Sequence, residues 1–177
     1  MKKLVIFFVV ATVFLVFIFF GLKAPSQHKA AVATGPVYTE PNVYINTMLS
    51  LAGNARNIGA GKFIYRNKSV IFISRKKDAY GSEIATNYYS AEKNALEQVR
   101  VKYLALVPSP ECAAAHKIFG EALDNSIASF NKTVESLNKD DSAIMDKEGA
   151  PLARKAQDLL SLAIQKLQDI KMRHGIK

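Results

Sequence analysis

The chain has no tryptophan and a single cysteine, Cys112, among 177 residues. One cysteine cannot close an internal disulfide, so no disulfide framework holds the fold in any compartment. Histidine is scarce, with only His28, His116 and His174. Zinc ordinarily takes four ligands, or three and a water, and the sequence holds no Cys-x-x-Cys pair, no His-Glu-x-x-His and no Cys-x-x-Cys-His haem signature. A phosphate loop, a Gly-x-Ser-x-Gly elbow and a calcium loop are missing too, and Gly59-Ala60-Gly61 lacks the Gly and Lys that would have to follow it. No constellation for catalysis remains, so the expectation is a non-enzyme without cofactor or metal. One more absence is local: between Pro41 and Lys77 there is no Asp or Glu at all.

What the sequence does hold begins at its start. Leu4 to Leu22 is an uncharged run of nineteen residues, preceded by Lys2 and Lys3 and followed by Lys23. As a helix it is about 28 Å long, close to the ~30 Å hydrocarbon core of a bilayer. Phe, Val, Leu and Ile occur all round it, which leaves no polar face for a soluble helix. A secretory signal peptide has a shorter apolar region of about 7–15 residues and a nearby small-x-small cleavage site. Gly21-Leu22-Lys23-Ala24 is a poor one, and Ala31-Val32-Ala33 lies far past the run. The reading is therefore a retained transmembrane signal anchor over 1–23, with the N-terminus in the cytoplasm and the remainder outside it. Residues 24–40, rich in small and polar residues with two prolines, read as a linker, and 41–177 as an extracytoplasmic helical domain.

Within 41–177 the apolar residues recur at helical spacing. Tyr44, Met48, Leu51, Ala55 and Ile58 mark one helix, which Gly59-Ala60-Gly61 ends. A second helix is expected over about 78–107, with Ile84, Tyr88, Ala91, Ala95, Val99 and Leu106 inward. The third runs over about 110–137, opened by Ser109 as cap and Pro110 as first residue. The polar break Asn138-Lys139-Asp140-Asp141 precedes a last helical region over 142–173, interrupted near Gly149-Ala150-Pro151. Its inner residues are expected to be Leu152, Ala156, Leu159, Ala163, Leu167 and Ile170. Between helices one and two, Phe63-Ile64-Tyr65 and Val70-Ile71-Phe72-Ile73 are β-branched and aromatic runs, and a small β-hairpin over 62–74, turning at Asn67-Lys68, is expected there. The fold class is thus all-α: an N-terminal transmembrane helix followed by an antiparallel bundle of about four helices. The rival is a two-helix coiled-coil stalk, disfavoured by the interrupting Gly and Pro and by the alanine-rich faces.

Cys112 and His116 stand four residues apart, so in a helix they share a face. As a pair they suggest an activated thiol at a helix N-terminus or half of a metal site. The same face continues through Phe119, Leu123, Ile127, Phe130, Val134 and Leu137, all apolar. Free cysteine packs as a small hydrophobe, so the core reading is the stronger of the two.

The net charge of +9 is unevenly placed. Residues 78–177 hold 13 Lys or Arg against 14 Asp or Glu. The window 41–77 holds Arg56, Lys62, Arg66, Lys68, Arg75, Lys76 and Lys77 with no acid. Such a segment suits an anionic contact: lipid head groups, an anionic envelope polymer or an acidic envelope protein. Its interleaved Phe63, Tyr65 and Phe72 also suit nucleic acid, which export argues against; the bland reading is a solvated face. The function expected is a membrane-anchored binding or scaffolding module of the cell envelope. The alternative is a small-ligand-binding or sensory bundle, with Tyr88, Tyr89 and Tyr103 lining a cleft.

Overall fold

The computed structural model describes residues 37–60, 64–65, 68–69 and 79–176. The expected anchor over 1–23 and most of the linker lie outside the described residues. Among those described, no helix is long and apolar enough to cross a membrane. The elements are α1 (Pro41–Ala60), strands β1 (Ile64–Tyr65) and β2 (Lys68–Ser69), α2 (Ala79–Leu104), α3 (Ala113–Asn138), the short α4 (Ser142–Ile144), a π-helical turn (Met145–Gly149) and α5 (Ala150–Arg173).

End-to-end contacts fix how the helices run. The Thr39 N–H donates to the Val107 carbonyl at 2.9 Å and the Val107 N–H to Thr39 Oγ1 at 3.0 Å, so α1 begins where α2 ends. Tyr103, near the end of α2, stacks on His116 at the start of α3 with ring centroids 4.2 Å apart. At the end of α5, Lys171 Nζ donates to Asn46 Oδ1 at 3.1 Å, and His174 Nε2 meets Glu111 Oε2 at 2.8 Å. Each long helix therefore runs against its predecessor, which makes an up-down-up-down four-helix bundle. α3 packs mainly on α2 and α5, and α1 closes the ring against the same two.

Local chemistry explains the ends. Asp140 takes φ +51°, a left-handed conformation that Asp tolerates, and the chain turns there. Asp141 then caps α4, its carboxylate accepting from the Ala143 N–H at 2.9 Å. Gly175, with φ +60°, ends α5: the Gly175 N–H donates to the Met172 carbonyl and the Ile176 N–H to that of Lys171. Two expectations need correction. The predicted break at Gly149-Ala150-Pro151 is a continuous helix that widens into a π turn at Met145–Gly149. One wide turn accommodates the proline, which cannot donate to the helical ladder, without a break. Likewise α3 starts at Ala113 rather than Pro110, because Ser109 to Cys112 form a separate turn closed by Cys112 N–H to the Ser109 carbonyl at 2.9 Å.

Among the described residues the core has two parts. The main one joins Tyr44, Ile45 and Met48 of α1, Leu96, Val99 and Tyr103 of α2, Phe119 and Leu123 of α3, and Leu160, Leu167 and Ile170 of α5. Burying each large apolar side chain contributes about 1.5–3 kcal/mol. A smaller cluster at the far end of α2 joins Ala85 and Tyr89 to Leu137. Val99 is buried as expected, but over the earlier part of α2 the inner face is rotated by one position: Ala85, Tyr89 and Leu96 are buried in place of Ile84, Tyr88 and Ala95, and Ala91 is exposed. Alanines and tyrosines occur on several sides of that helix, so periodicity alone does not single out the face that meets both neighbours. The β-ladder pairs Ile64 with Ser69 and Tyr65 with Lys68, so Lys68 belongs to a strand rather than the turn, and the strands are two residues each.

Two glycines in helices should respond oppositely to alanine. A Cβ on Gly53 meets nothing within 4 Å, while one on Gly120 falls 2.5 Å from the Tyr103 hydroxyl. Alanine is about 1 kcal/mol better than glycine in a helix interior. Gly53→Ala should gain most of that in urea denaturation. Gly120→Ala should lose stability, and Tyr103→Phe in the same chain should recover part of the loss. Equal gains at both positions would mean that α2 and α3 do not approach this closely.

Candidate functional site

Three places gather chemistry-bearing side chains. The first is the end of the bundle where α1 and α3 begin. Cys112 is fully buried there, and so is Tyr44. Tyr44 Oη and His116 Nδ1 are 2.9 Å apart; with both groups neutral, the phenol donates and the ring carries its own proton on Nε2. Tyr103 stacks on the imidazole and meets Phe119 edge-on at 5.5 Å. Burial holds the Tyr44 hydroxyl far above the ordinary tyrosine range, with Cys112 and Tyr103 adding to the shift. Burial also raises the Cys112 thiol; Glu111 pushes the same way, and contacts from Ser109 and Arg173 only partly oppose it. His116 is shifted down, again by burial. A reactive thiolate requires the reverse, a lowered thiol beside a cationic imidazole. Among the described residues no three His, Cys, Asp or Glu side chains converge as a metal would require. Cys112 and His116 are thus held as part of the core, and the second partner of the pair turns out to be Tyr44, from a helix about 70 positions earlier in the chain. Nothing in sequence spacing links those two residues.

The second place is a cleft of ≈360 Å³ between the last turns of α1, the middle of α3 and the first half of α5. Phe130, Leu160 and Ile164 give it apolar walls, while Arg56, Ser126 and Gln157 add polar groups. At the cleft the inner side of α3 changes character along its length, and Ser129 stands where that change begins. Before Ile127 it carries Phe119 and Leu123; after it the buried positions include Ser129, Thr133 and Ser136. These hydroxyls are turned to backbone: Ser129 donates to the Gly149 carbonyl of the π turn at 3.0 Å, Thr133 to the Ser129 carbonyl at 3.1 Å and Ser136 to the Asp141 carbonyl at 2.7 Å. Satisfied in this way they cost little, but they fill less space than leucines. Sequence reasoning missed this site. The available signal was the run of serines and alanines at helical spacing in α3 and α5.

The third place is the cationic window. Arg56 lies exposed on α1 and lines the cleft. Lys68 contributes its backbone to β2. Lys62, Arg66, Arg75, Lys76 and Lys77 lie outside the described residues. The three tyrosines expected to share a cleft do not do so. Tyr88 and Tyr89 meet edge-on at 5.2 Å beside Phe130, whereas Tyr103 is some 20 Å further along α2 at a rise of 1.5 Å per residue. With this geometry in hand, the chain matches no family model, no curated protein and no solved structure.

Two measurements test the buried end. Cys112 should resist alkylation in the folded chain and label readily once denaturant is added; rapid labelling of the native protein would overturn the core assignment. His116 should make stability depend on pH. Its folded pKa lies below the ordinary 6.5, so the unfolded chain takes up the proton first as pH falls. The stabilisation is complete above that value and shrinks below it, down to the folded pKa. The urea midpoint should therefore drop from pH 7.5 to 5.5 in the native sequence and drop less in His116→Phe, which keeps a ring on Tyr103. Identical slopes would remove His116 as the cause.

Proposed function

We propose that this chain is an anchored, extracytoplasmic binding or scaffolding module of the cell envelope, whose residues 41–77 present a cationic surface to an anionic partner. The observation that carries the reading is charge segregation: seven cations without an acid in that window, against 13 cations and 14 acids in residues 78–177. The apolar run Leu4–Leu22 supports the anchor, because its length suits a bilayer and its flanks suit retention.

The bundle favours this reading by its own electrostatic economy. On α2, Arg100 reaches Asp124 at 3.2 Å and Glu97 at 3.9 Å. Lys132 bridges Glu148 at 2.7 Å and Glu135 at 3.0 Å, and Lys139 also meets Glu135 at 2.7 Å. These pairs are worth little each to stability, but they match part of the bundle's charge internally, and its Lys and Arg are nearly balanced in number by its Asp and Glu. A partner drawn by positive charge would be drawn to the window, where each cation near an anionic bilayer is worth about 1 kcal/mol.

The test uses residues 24–177. The compact unit begins at Val37 and has its own core, so this piece should fold without the apolar run. It should bind vesicles containing phosphatidylserine and ignore purely zwitterionic ones, and binding should fade as salt brings the screening length below ~10 Å. Changing Arg66, Lys68, Lys76 and Lys77 to Glu should abolish it. Indifference to anionic vesicles and to anionic envelope polymers at low salt would end this reading.

A further inference from the structure

The cleft between α1, α3 and α5 lies outside the anionic-surface reading and does not depend on it. We propose that it is a binding site for a small amphiphilic monoanion, with an apolar body held between α3 and α5 and a carboxylate-type head at Arg56.

Size sets the class of ligand. A volume of ≈360 Å³ falls at the lower end of sites that hold small molecules, about 300–1,000 Å³. A peptide helix about 10 Å across does not fit it. The walls are kept back by short side chains from all three helices, Ala55 of α1, Ser126 of α3 and Ala153 of α5 among them. Phe130, Leu160 and Ile164 line it with apolar surface, which water solvates poorly and a hydrocarbon or aromatic body covers well.

Charge sets the head group. Of the described residues lining the cleft, Arg56 is the one with a charge, and none is an acid. Arg100, Lys132 and Lys139 each have a carboxylate within 4.0 Å, whereas Arg56 has no ion pair among the described residues. A guanidinium beside an apolar cleft, without a protein carboxylate, is complementary to one carboxylate, which it can hold through two parallel hydrogen bonds. A single cation favours a single negative charge. Gln157 and Ser126 add neutral donors within the same walls.

The experiment uses the full chain in zwitterionic detergent micelles, with octanoate as probe and 1-octanol as its uncharged counterpart. Methyl resonances of Leu160 and Ile164 report the cleft itself, and those of Leu96 and Met48 report the rest of the core. Octanoate should shift the first pair saturably and leave the second unmoved, with octanol weaker. Arg56→Gln should weaken octanoate about tenfold, the scale of one charge-assisted hydrogen bond, and leave octanol unchanged. Ala153→Leu should abolish both, with Ser126→Leu as a second filling variant if Leu96 and Met48 show that the first disturbs the fold. The proposal fails if Leu160 and Ile164 do not respond saturably. It also fails if octanol binds as well as octanoate, if Arg56→Gln leaves octanoate unchanged, or if a folded filling variant still binds. Vesicle binding through the remaining window cations is unaffected by either result, so the two readings stand or fall separately.

Discussion

The ring of Tyr103 lies in a notch that only a glycine leaves. Its hydroxyl sits 2.5 Å from where a Cβ on residue 120 would be, one face stacks on His116, and its edge meets Phe119. Through His116 the contact passes to Tyr44 and so to α1. Three helices are therefore registered at one end by two tyrosines, a glycine and a histidine. Hydrophobic burial alone tolerates sliding along the bundle axis, because one leucine replaces another. A stacked ring in a glycine notch with a hydrogen bond behind it does not tolerate that. Cys112 fits beside this arrangement as filler. The features that first suggest reactivity, a lone thiol and a histidine on one face, are the features a tight aromatic end needs.

The middle of the bundle follows from the same register. With α2 and α3 drawn together at Gly120, the middle of α3 faces α5 and the end of α1 with Ser126 and Ser129. The Ser129 and Thr133 hydroxyls are bound to backbone and cannot be replaced by bulk without losing those bonds. One of them holds the carbonyl of Gly149 in the π turn, and a Cβ on Gly149 would lie 3.4 Å from that of Lys132. The π turn thus sits tightly on α3 just before α5 starts. Tight packing there and at Gly120 brackets a stretch where small residues face one another, and the cleft is what remains between them.

Much of this architecture was readable from periodicity. The four long helices, the turn at Asp140, the glycine cap at the end of α5 and the apolar stripe through Phe119 and Leu123 follow from spacing and from cap chemistry. The face of α2 agrees with the periodicity at Val99 and differs by one position before it, because Tyr88 and Tyr89 are adjacent, as are Ala95 and Leu96, and either set makes a stripe. The π turn was read as a break, since a proline after a glycine normally ends a helix and only the surrounding packing keeps this one continuous. The cleft and the Tyr44–His116 bond were invisible for a different reason. Both are relations between segments far apart in the chain, and a single sequence carries periodicity within a helix but no record of which residues meet across helices.

The charge distribution leads to a conclusion that no pairing scheme can remove. Residues 78–177 hold one more acid than base, and several of those acids are engaged with bases of the same stretch, as Glu135 is with Lys132 and Lys139. Were the cations of 41–77 to recruit those acids instead, Lys132, Lys139 and Arg100 would be left over in their place. The positive excess is a property of the sequence, so moving partners only moves where it shows. Spreading it evenly is the arrangement that minimises repulsion, yet seven of the cations are gathered into 37 residues next to the first helix. Folding gains nothing from that gathering. An anion brought from outside the chain does gain from it, whether it is a surface spread across the window or a single carboxylate at Arg56, a window cation that also borders a cleft.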